Sequence, residues 1–477
     1  MSRLHSSMLL VPALLLAGCV SMAPRYERPA EPVDGQWRDT AAAQAAEGAT
    51  TTDKQVAQID WQEFFQDQRL RRVIALALDN NRDLRIAMLN IEKARAQYRI
   101  QRAELLPAIN AAGRENSART PASLSPTGVA GVSRQFTADV GFSNYELDLF
   151  GRIRSLKNQA LENYFATAET QRSTRLSLVA EVAADWLTLA ADRQLLKLAQ
   201  ETLNSQLESL KRVESRHQQG IASGLDLAQV QTSVESARAD AASFAARVEQ
   251  DRHALELVVG AAVADDLLPE AAADNPVALA QIPTNLDSSV LLLRPDVLSA
   301  EHSLKAANAN IGAARAAFFP TISLTGTLGR GSNELSNLFD GVNRTWSFVP
   351  SISVPIFNAG SLRASLGVSK AERDISVAQY EKTIQTAFSE VADALAVRAT
   401  LDERLNAQKA LVDAATRSYT LAEARYRNGV DSYLTTLDAQ RSLYGAQQSL
   451  INLQLTERSN RVTLYKVLGG GVDAGTQ

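Results

Sequence analysis

Two long stretches of the chain repeat apolar residues at a helical period and lack the residues that break helices. Proline is absent between Pro126 and Pro269 and again after Pro355, and glycine is sparse from Arg152 to Val259. Within the first stretch Val182, Leu189, Leu196, Leu203 and Leu210 stand at every seventh position, and Val179, Trp186 and Val213 widen the stripe. A repeat of about 3.5 residues marks a coiled-coil seam. A helix over 153–217 would be roughly 95 Å long at 1.5 Å per residue.

Ahead of each long helical stretch the period changes to two. Phe136, Ala138, Val140 and Phe142 alternate with polar or small residues across 136–143. Ile322, Leu324 and Leu328 do so across 321–328, and Trp346, Phe348, Ile352, Val354 and Ile356 share one face of 346–356. The segment 108–117 is the weakest of the four strands. Alternation over about ten residues is the signature of a membrane β-strand, apolar toward lipid and polar toward a lumen, although a soluble sandwich with one wet face carries the same pattern. Polar segments 118–135 and 329–345 read as hairpin loops.

The pattern occurs twice. "RDLRIAMLNIEKARAQYRIQRAELLPAI" (82–109) returns as "PDVLSAEHSLKAANANIGAARAAFFPTI" (295–322), "EVAADWL" (181–187) as "EVADALA" (390–396), and "LELVVG" (255–260) as "LYKVLG" (464–469). The turn "RHQQGIASGLDLAQVQ" (216–231) returns as "RYRNGVDSYLTTLDAQ" (425–440). A match sustained at an offset of about 210 residues is an internal duplication. It divides the chain into a first repeat, 66–260, and a second, 287–468. Each repeat has a helix, a β-hairpin (108–148 and 320–357) and a long helical hairpin (153–259 and 361–468). A linker, 261–286, and a tail, 469–477, remain.

Composition narrows the class. Of 477 residues, 45% are hydrophobic and 21% charged, with a net charge of -4 and no basic stripe, which argues against nucleic acid as partner. His217, His253 and His302 are scattered, with no HExxH and no paired cysteines for a metal, and no GxSxG or P-loop is present. "GTLGRG" at 326–331 lacks a strand–helix setting for a dinucleotide and reads as a strand end. The chain is therefore expected to be no enzyme and to need no cofactor.

The sole cysteine, Cys19, follows Arg3, a short apolar core Met8–Ala17, and Leu16-Ala17-Gly18. The stretch resembles a bacterial lipoprotein signal with residues 1–18 removed and Cys19 acylated; Val20 after it fits sorting to the outer membrane. The segment 19–65 would then be the N-terminal anchor and equatorial segment. No later segment is apolar enough for a membrane helix, so spanning would need a closed β-barrel. Four strands per chain fall short of the minimum of about eight for such barrels, so several copies must share one.

The whole mature chain resembles the TolC-like outer-membrane efflux proteins, specifically the NodT-type lipoprotein branch that works with RND transporters. The residues that carry the resemblance are LAGC at 16–19, "YELDLFGRIR" at 145–154, "EVAADWL" at 181–187, "ARYRNGVDSYLTTLDAQRSLYGAQQSL" at 424–450 and "LYKVLGGG" at 464–471. The resemblance implies an α+β membrane protein. Its homotrimer would share a 12-stranded β-barrel, four strands per chain, continuous with a long periplasmic α-helical barrel of coiled-coil helices. The segments 20–65, 262–290 and 469–477 would form a belt around that barrel. Implied partners are a periplasmic membrane-fusion adaptor, an inner-membrane RND transporter and outer-membrane lipid.

The repeated turns would be the periplasmic tip. Gly220 and Gly429 end the outgoing helices, and Ser223 and Ser432 are placed to cap the returning ones. The resemblance implies a periplasmic gate of Leu434 and Asp438, one helical turn apart, with Tyr426 and Arg427 latching the inner pair to its neighbours. Leu225 and Gln229 hold the matching places in the other copy. Asp226 and Asp431 also stand at the tip and are left unassigned. The function implied is a passive exit duct for drugs or other small molecules. A duct for protein secretion with an ABC transporter, and a trimeric structural lipoprotein without a pore, stay open at this point.

Overall fold

The computed structural model describes residues 21–33, 59–126, 128–271, 279–280 and 288–471. The expected signal 1–18 and Cys19 lie outside the described residues, as do parts of the segments 20–65, 261–286 and 469–477. The duplication is visible as two runs that share the order helix, two strands and two long helices, the first preceded by two further helices. The first run is α1 (Trp61–Phe64), α2 (Gln68–Asn80), α3 (Arg82–Ala103), β1 (Asn110–Thr120), β2 (Gly131–Leu147), α4 (Arg152–Gln218) and α5 (Gly224–Val259). The second is α6 (Pro295–Ala316), β3 (Thr321–Ser332), β4 (Arg344–Ser353), α7 (Ser361–Arg427) and α8 (Tyr433–Val467). Helices α4 and α7 have 67 residues each, and α3 and α6 have 22 each. Among the described residues no helix is long and apolar enough to cross a membrane.

The long helices bury a narrow stripe. On α4 the stripe begins as expected with Val179, Val182, Trp186 and Leu189, all buried. Further along it moves off Leu196, Leu203 and Leu210, which are half-buried, onto Leu195, Ala199, Gln206 and Val213. A straight helix drifts about 20° per heptad against a strict seven-residue repeat, so a neighbouring row of side chains rotates inward.

Packing divides the chain into two units. The first comprises residues 1–30, 90–167 and 299–380, and the second 31–89, 168–298 and 381–477. The first unit holds a four-stranded antiparallel sheet of order β1-β2-β3-β4. Its strands differ from the predicted spans. β1 continues to Thr120 and β2 starts at Gly131 because their ladder runs on to the pair Thr120↔Gly131. The loops therefore shrink to 121–130 and 333–343. β4 stops at Ser353, opposite the first residue of β3, so Val354 and Ile356 lie outside the strand; Pro355 has no N–H with which to continue it.

Where β2 hands over to α4, "YELDLFGRIR" makes a helix start. The Asp148 carboxylate accepts from the backbone N–H of Ile153 (3.2 Å) and Arg154 (2.9 Å), satisfying donors that a first helical turn leaves free. Arg152 forks onto Glu146 at 2.8 and 2.7 Å.

The first unit also holds a strap, residues 21–28, along α6. Arg315 donates to Met22 O (3.2 Å), Asn308 to Pro24 O (2.8 Å) and Tyr26 to Glu301 (3.0 Å). Arg28 grips the buried Glu301 through two bonds, of 2.7 and 3.2 Å, and Lys305 adds a second cation at 3.1 Å. Strap numbers rise as α6 numbers fall, so the two run antiparallel, and the strap's N-terminal end lies at the end of α6 that leads into β3.

In the second unit the segments 59–65 and 262–269 pack onto helices. Phe64 stacks on Tyr465 at 4.3 Å, and the Tyr465 hydroxyl donates to Ile59 O at 2.9 Å. Trp186 and Arg193 donate to Leu267 O and Pro269 O at 3.1 and 2.6 Å. Arg294, nearly enclosed, ties Asp296 (2.7 Å), Glu390 (2.8 Å) and Val467 O (2.8 Å) together. Removing one partner of such a buried set leaves the others uncompensated. Arg294→Met is therefore expected to lower stability by about 3 kcal/mol, measured as an earlier thermal unfolding transition in detergent.

The same unit carries a carboxyl pair across the first helical hairpin. Burial, then the hydrogen bond and charge of Asp192 on α4, push the Asp251 carboxyl on α5 up to about 7. Burial and Glu181 push Asp185 up to about 6. An acid raised above its usual 3.8 stabilises the fold while protonated, and that stability drains away as pH climbs from about 4 through 7. Asp251→Asn should unfold at a higher temperature than the parent at pH 8 and at the same temperature at pH 4. Equal midpoints at both pH values would show that the pair exerts no strain.

Candidate functional site

The two repeated turns share a backbone and differ in how it is fastened. Gly220 (φ 74°) and Gly429 (φ 71°) adopt the left-handed conformation that closes a helix at little cost only for glycine. The next N–H groups, of Ile221 and Val430, reach back to Arg216 O and Arg425 O at 2.8 and 2.9 Å. At the first turn Ser223 caps α5 and Asp226 completes a capping box, with bonds of 3.0 and 3.1 Å. At the second turn Ser432 holds the cap position but its side chain makes no capping bond. The third helical residue there is Thr435, so the reciprocal carboxylate is missing. A clamp replaces it. Arg425 forks onto Asp431 at 2.6 and 3.0 Å, and this bond holds the Asp431 carboxyl below its usual range.

The two unassigned aspartates are thus both engaged inside their own turns. Of the expected latch residues, Arg427 bonds Glu423 one turn back on α7 at 2.5 Å. Tyr426 lies under the Arg216 guanidinium, 5.2 Å from its ring centre, and edge-on to Tyr433 at 5.3 Å. Arg216 belongs to α4, so Tyr426 bridges the two helical hairpins of one chain.

Behind the second turn α8 has two contrasting faces. Tyr433, Thr436, Leu437 and Gln440 are buried. Tyr433 and Leu437 join Val213 of α4 and Val230 of α5 in one apolar cluster. Gln206 of α4 donates to Gln440 at 2.8 Å, and Thr436 donates to Ala422 O at 3.2 Å. Burial, with Tyr426 and Tyr419 nearby, pushes the Tyr433 phenol up to about 12, so it stays neutral at physiological pH. Leu434 and Asp438 lie on the opposite, exposed face, Leu434 with 46% of its surface free. Asp438 has no ion-pair partner among the described residues; Arg441, one turn on, is also exposed.

Sequence reasoning missed Gln206, Gln440, Tyr433 and the Arg425–Asp431 clamp. The clamp had a visible sign, opposite charges flanking Gly429. The buried amides had none, because a glutamine on a helix face reads as solvated.

The sheet is the second part of the site. Register places Ile322, Leu324 and Leu328 beside Ile352, Pro350 and Trp346, and Val140 beside Leu328, on one face. The other face carries Asn110, Asp139, Arg114 and Thr137, with a hydroxyl ladder of Thr327–Ser347 at 2.6 Å and Ser323–Ser351 at 3.1 Å. One face is therefore dry and the other wet. The outer edges of β1 and β4 carry no strand partner among the described residues.

Comparison with known proteins decides what this arrangement belongs to. The profile of the family described as "Outer membrane efflux protein" matches residues 73–261 and 286–470. The chain belongs to the outer membrane efflux protein family. Among its relatives, the probable efflux pump outer membrane protein TtgC of Pseudomonas putida is 50% identical over 97% of this chain and 95% of its own length. Outer membrane protein OprJ of Pseudomonas aeruginosa is 44% identical over 98% and 96%. Among solved structures, the open state of the Neisseria gonorrhoeae MtrE outer membrane channel superposes with a TM-score of 0.84 at 37% identity, covering 96% of this chain and all of that one. This outer membrane efflux protein is therefore an outer-membrane channel for efflux and not an enzyme.

Proposed function

We propose that three copies of this chain assemble into one duct, sharing a 12-stranded β-barrel that continues into a periplasmic helical barrel. The observation that carries this reading is the open sheet. Each unpaired backbone amide in hydrocarbon costs several kcal/mol, so a four-stranded sheet with one apolar face cannot end at β1 and β4 in a bilayer. Pairing β4 of one copy with β1 of the next removes every edge, and twelve strands leave a lumen lined by the polar face. Efflux substrates, small organic molecules, would pass through that lumen. A periplasmic adaptor and an inner-membrane RND transporter would meet the tip and supply energy, since the sequence carries no P-loop motif.

At the tip, three exposed Leu434 side chains form a dry constriction and three Asp438 carboxylates a negative ring about 6 Å deeper along the helix. Tyr426 and Arg427 hold the inner hairpin, with Tyr426 gripped by Arg216 of the same chain and Arg427 free to exchange Glu423 for a neighbouring copy. Gly220, Ser223, Gly429 and Ser432 shape the turns. Cys19 carries acyl chains that add a lipid anchor.

Native mass spectrometry in detergent, followed by planar-bilayer recording, tests the duct. A trimer with small, cation-favouring conductance steps is expected. A monomer, or a trimer that never conducts, would overturn it.

A further inference from the structure

We infer that the apolar face of the sheet ends, at its loop side, in an arginine site for the phosphate of an outer-leaflet lipid headgroup of the lipopolysaccharide class. Arg330 and Arg344 are directly paired across β3 and β4, on the same face as the neighbouring pair Leu328↔Trp346. Like charges directly opposite each other in a ladder are destabilising, and among the described residues no carboxylate is paired with either of them. Arg344 is exposed and has no ion-pair or hydrogen-bond partner among the described residues. Arg330 donates from one nitrogen to Phe339 O and to Asp340 O, the latter at 2.6 Å. That fastens its guanidinium to the 333–343 loop and leaves its other N–H groups without a partner among the described residues. The acid on the same face, Glu115 of β1, lies two strands from β3 and accepts from Ser117 at 2.9 Å. A pair of cations held side by side, with planar forks that match phosphate oxygens, asks for an anion between them.

The level of the pair identifies the anion. Below it on the face come Trp346 and Leu328, then Phe348, then Pro350 and Leu324, and Ile352 with Ile322. Aromatic side chains mark the boundary between hydrocarbon and headgroups. The arginines stand one ladder step past Trp346, where headgroup phosphates begin. Arg134 of β2 and Arg119 of β1 follow on the same face still nearer the loops and extend the positive strip. Motif "GTLGRG" at 326–331 thereby finds its use, since its arginine stands on the lipid side of a strand end.

This site rests on the sheet lying in the outer membrane, so its test keeps a separate readout of that reading. Delipidated protein would be incubated with bis-phosphorylated lipid A or with the same lipid after phosphatase treatment, and bound lipid counted by native mass spectrometry. The parent should retain the phosphorylated form at least about tenfold better, roughly the 1.4 kcal/mol of one decade. Arg330→Gln with Arg344→Gln should retain both forms equally, while the double lysine variant keeps a reduced preference. Equal retention by the parent, or an undiminished preference in the glutamine variant, would overturn the site. Bilayer conductance of the same preparations shows independently whether the barrel forms; an intact current with no phosphate preference removes the lipid site alone.

Discussion

Asp438→Ala raises the single-channel conductance of the reconstituted duct severalfold and brings its selectivity close to neutral. The charge argument sets the size. An ion about 4 Å from one carboxylate gains about 1 kcal/mol even in water, so a ring of three enriches cations at the neck by up to two orders of magnitude. Such a ring also holds the ion it attracts, and conduction needs sites weak enough to be left. Alanine removes both attraction and bulk where α8 turns its free face outward, and it removes no contact from the fold. Asp438 makes no ion pair among the described residues, and the buried face of Tyr433, Thr436, Leu437 and Gln440 is untouched. Leu434→Ala should also raise the current, by wetting the constriction, but leave cation preference in place. Reversal potentials in a salt gradient separate the two. If Asp438→Ala leaves both current and reversal potential unaltered, the aspartate does not line the neck.

The contrast between these side chains shows where sequence reading reaches its limit. The duplication, the helical hairpins and the glycine-closed turns are legible because they depend on local rules, on proline and glycine placement and on periods of two and 3.5 residues. Strand ends are less legible, since a ladder continues as far as its neighbour allows; β1 extends to Thr120 only because Gly131 stands opposite. Least legible is the fastening of the second turn. Ser432 looks like a cap by analogy with Ser223, yet the reciprocal bond of a capping box depends on the side chain three places later, Asp226 in one copy and Thr435 in the other. The Gln206–Gln440 pair joins residues far apart in sequence whose type is ordinary on a solvated surface. Asp438 is the reverse case. Its exposure could be expected from one turn of helix, but that Arg425 pairs with Asp431 is visible only in the folded turn.

Cys19→Ser abolishes the acyl mass on the mature N-terminus and leaves trimers intact. The strap sets the geometry. Its N-terminal end bonds through Met22 O to Arg315, one residue before the end of α6, and Cys19 stands three residues further back, a reach of at most about 11 Å. β3 begins at Thr321, so the strap points its N-terminal end toward the junction of helix and sheet, where the proposed barrel meets the inner face of the bilayer and where the proposed acyl chains would enter it. Glu301 fixes this direction, since Arg28, Lys305 and Tyr26 all converge on it. Acyl chains contribute about 0.8 kcal/mol per buried methylene to anchoring. The ladders shared between copies contribute the closure itself, and serine at position 19 removes none of their bonds. Intact-mass measurement of the mature chain therefore shows loss of the lipid increment in Cys19→Ser, and native mass spectrometry still shows trimers. Persistence of the acyl mass would place the modification elsewhere, and loss of the trimer would make the lipid part of assembly instead of an anchor.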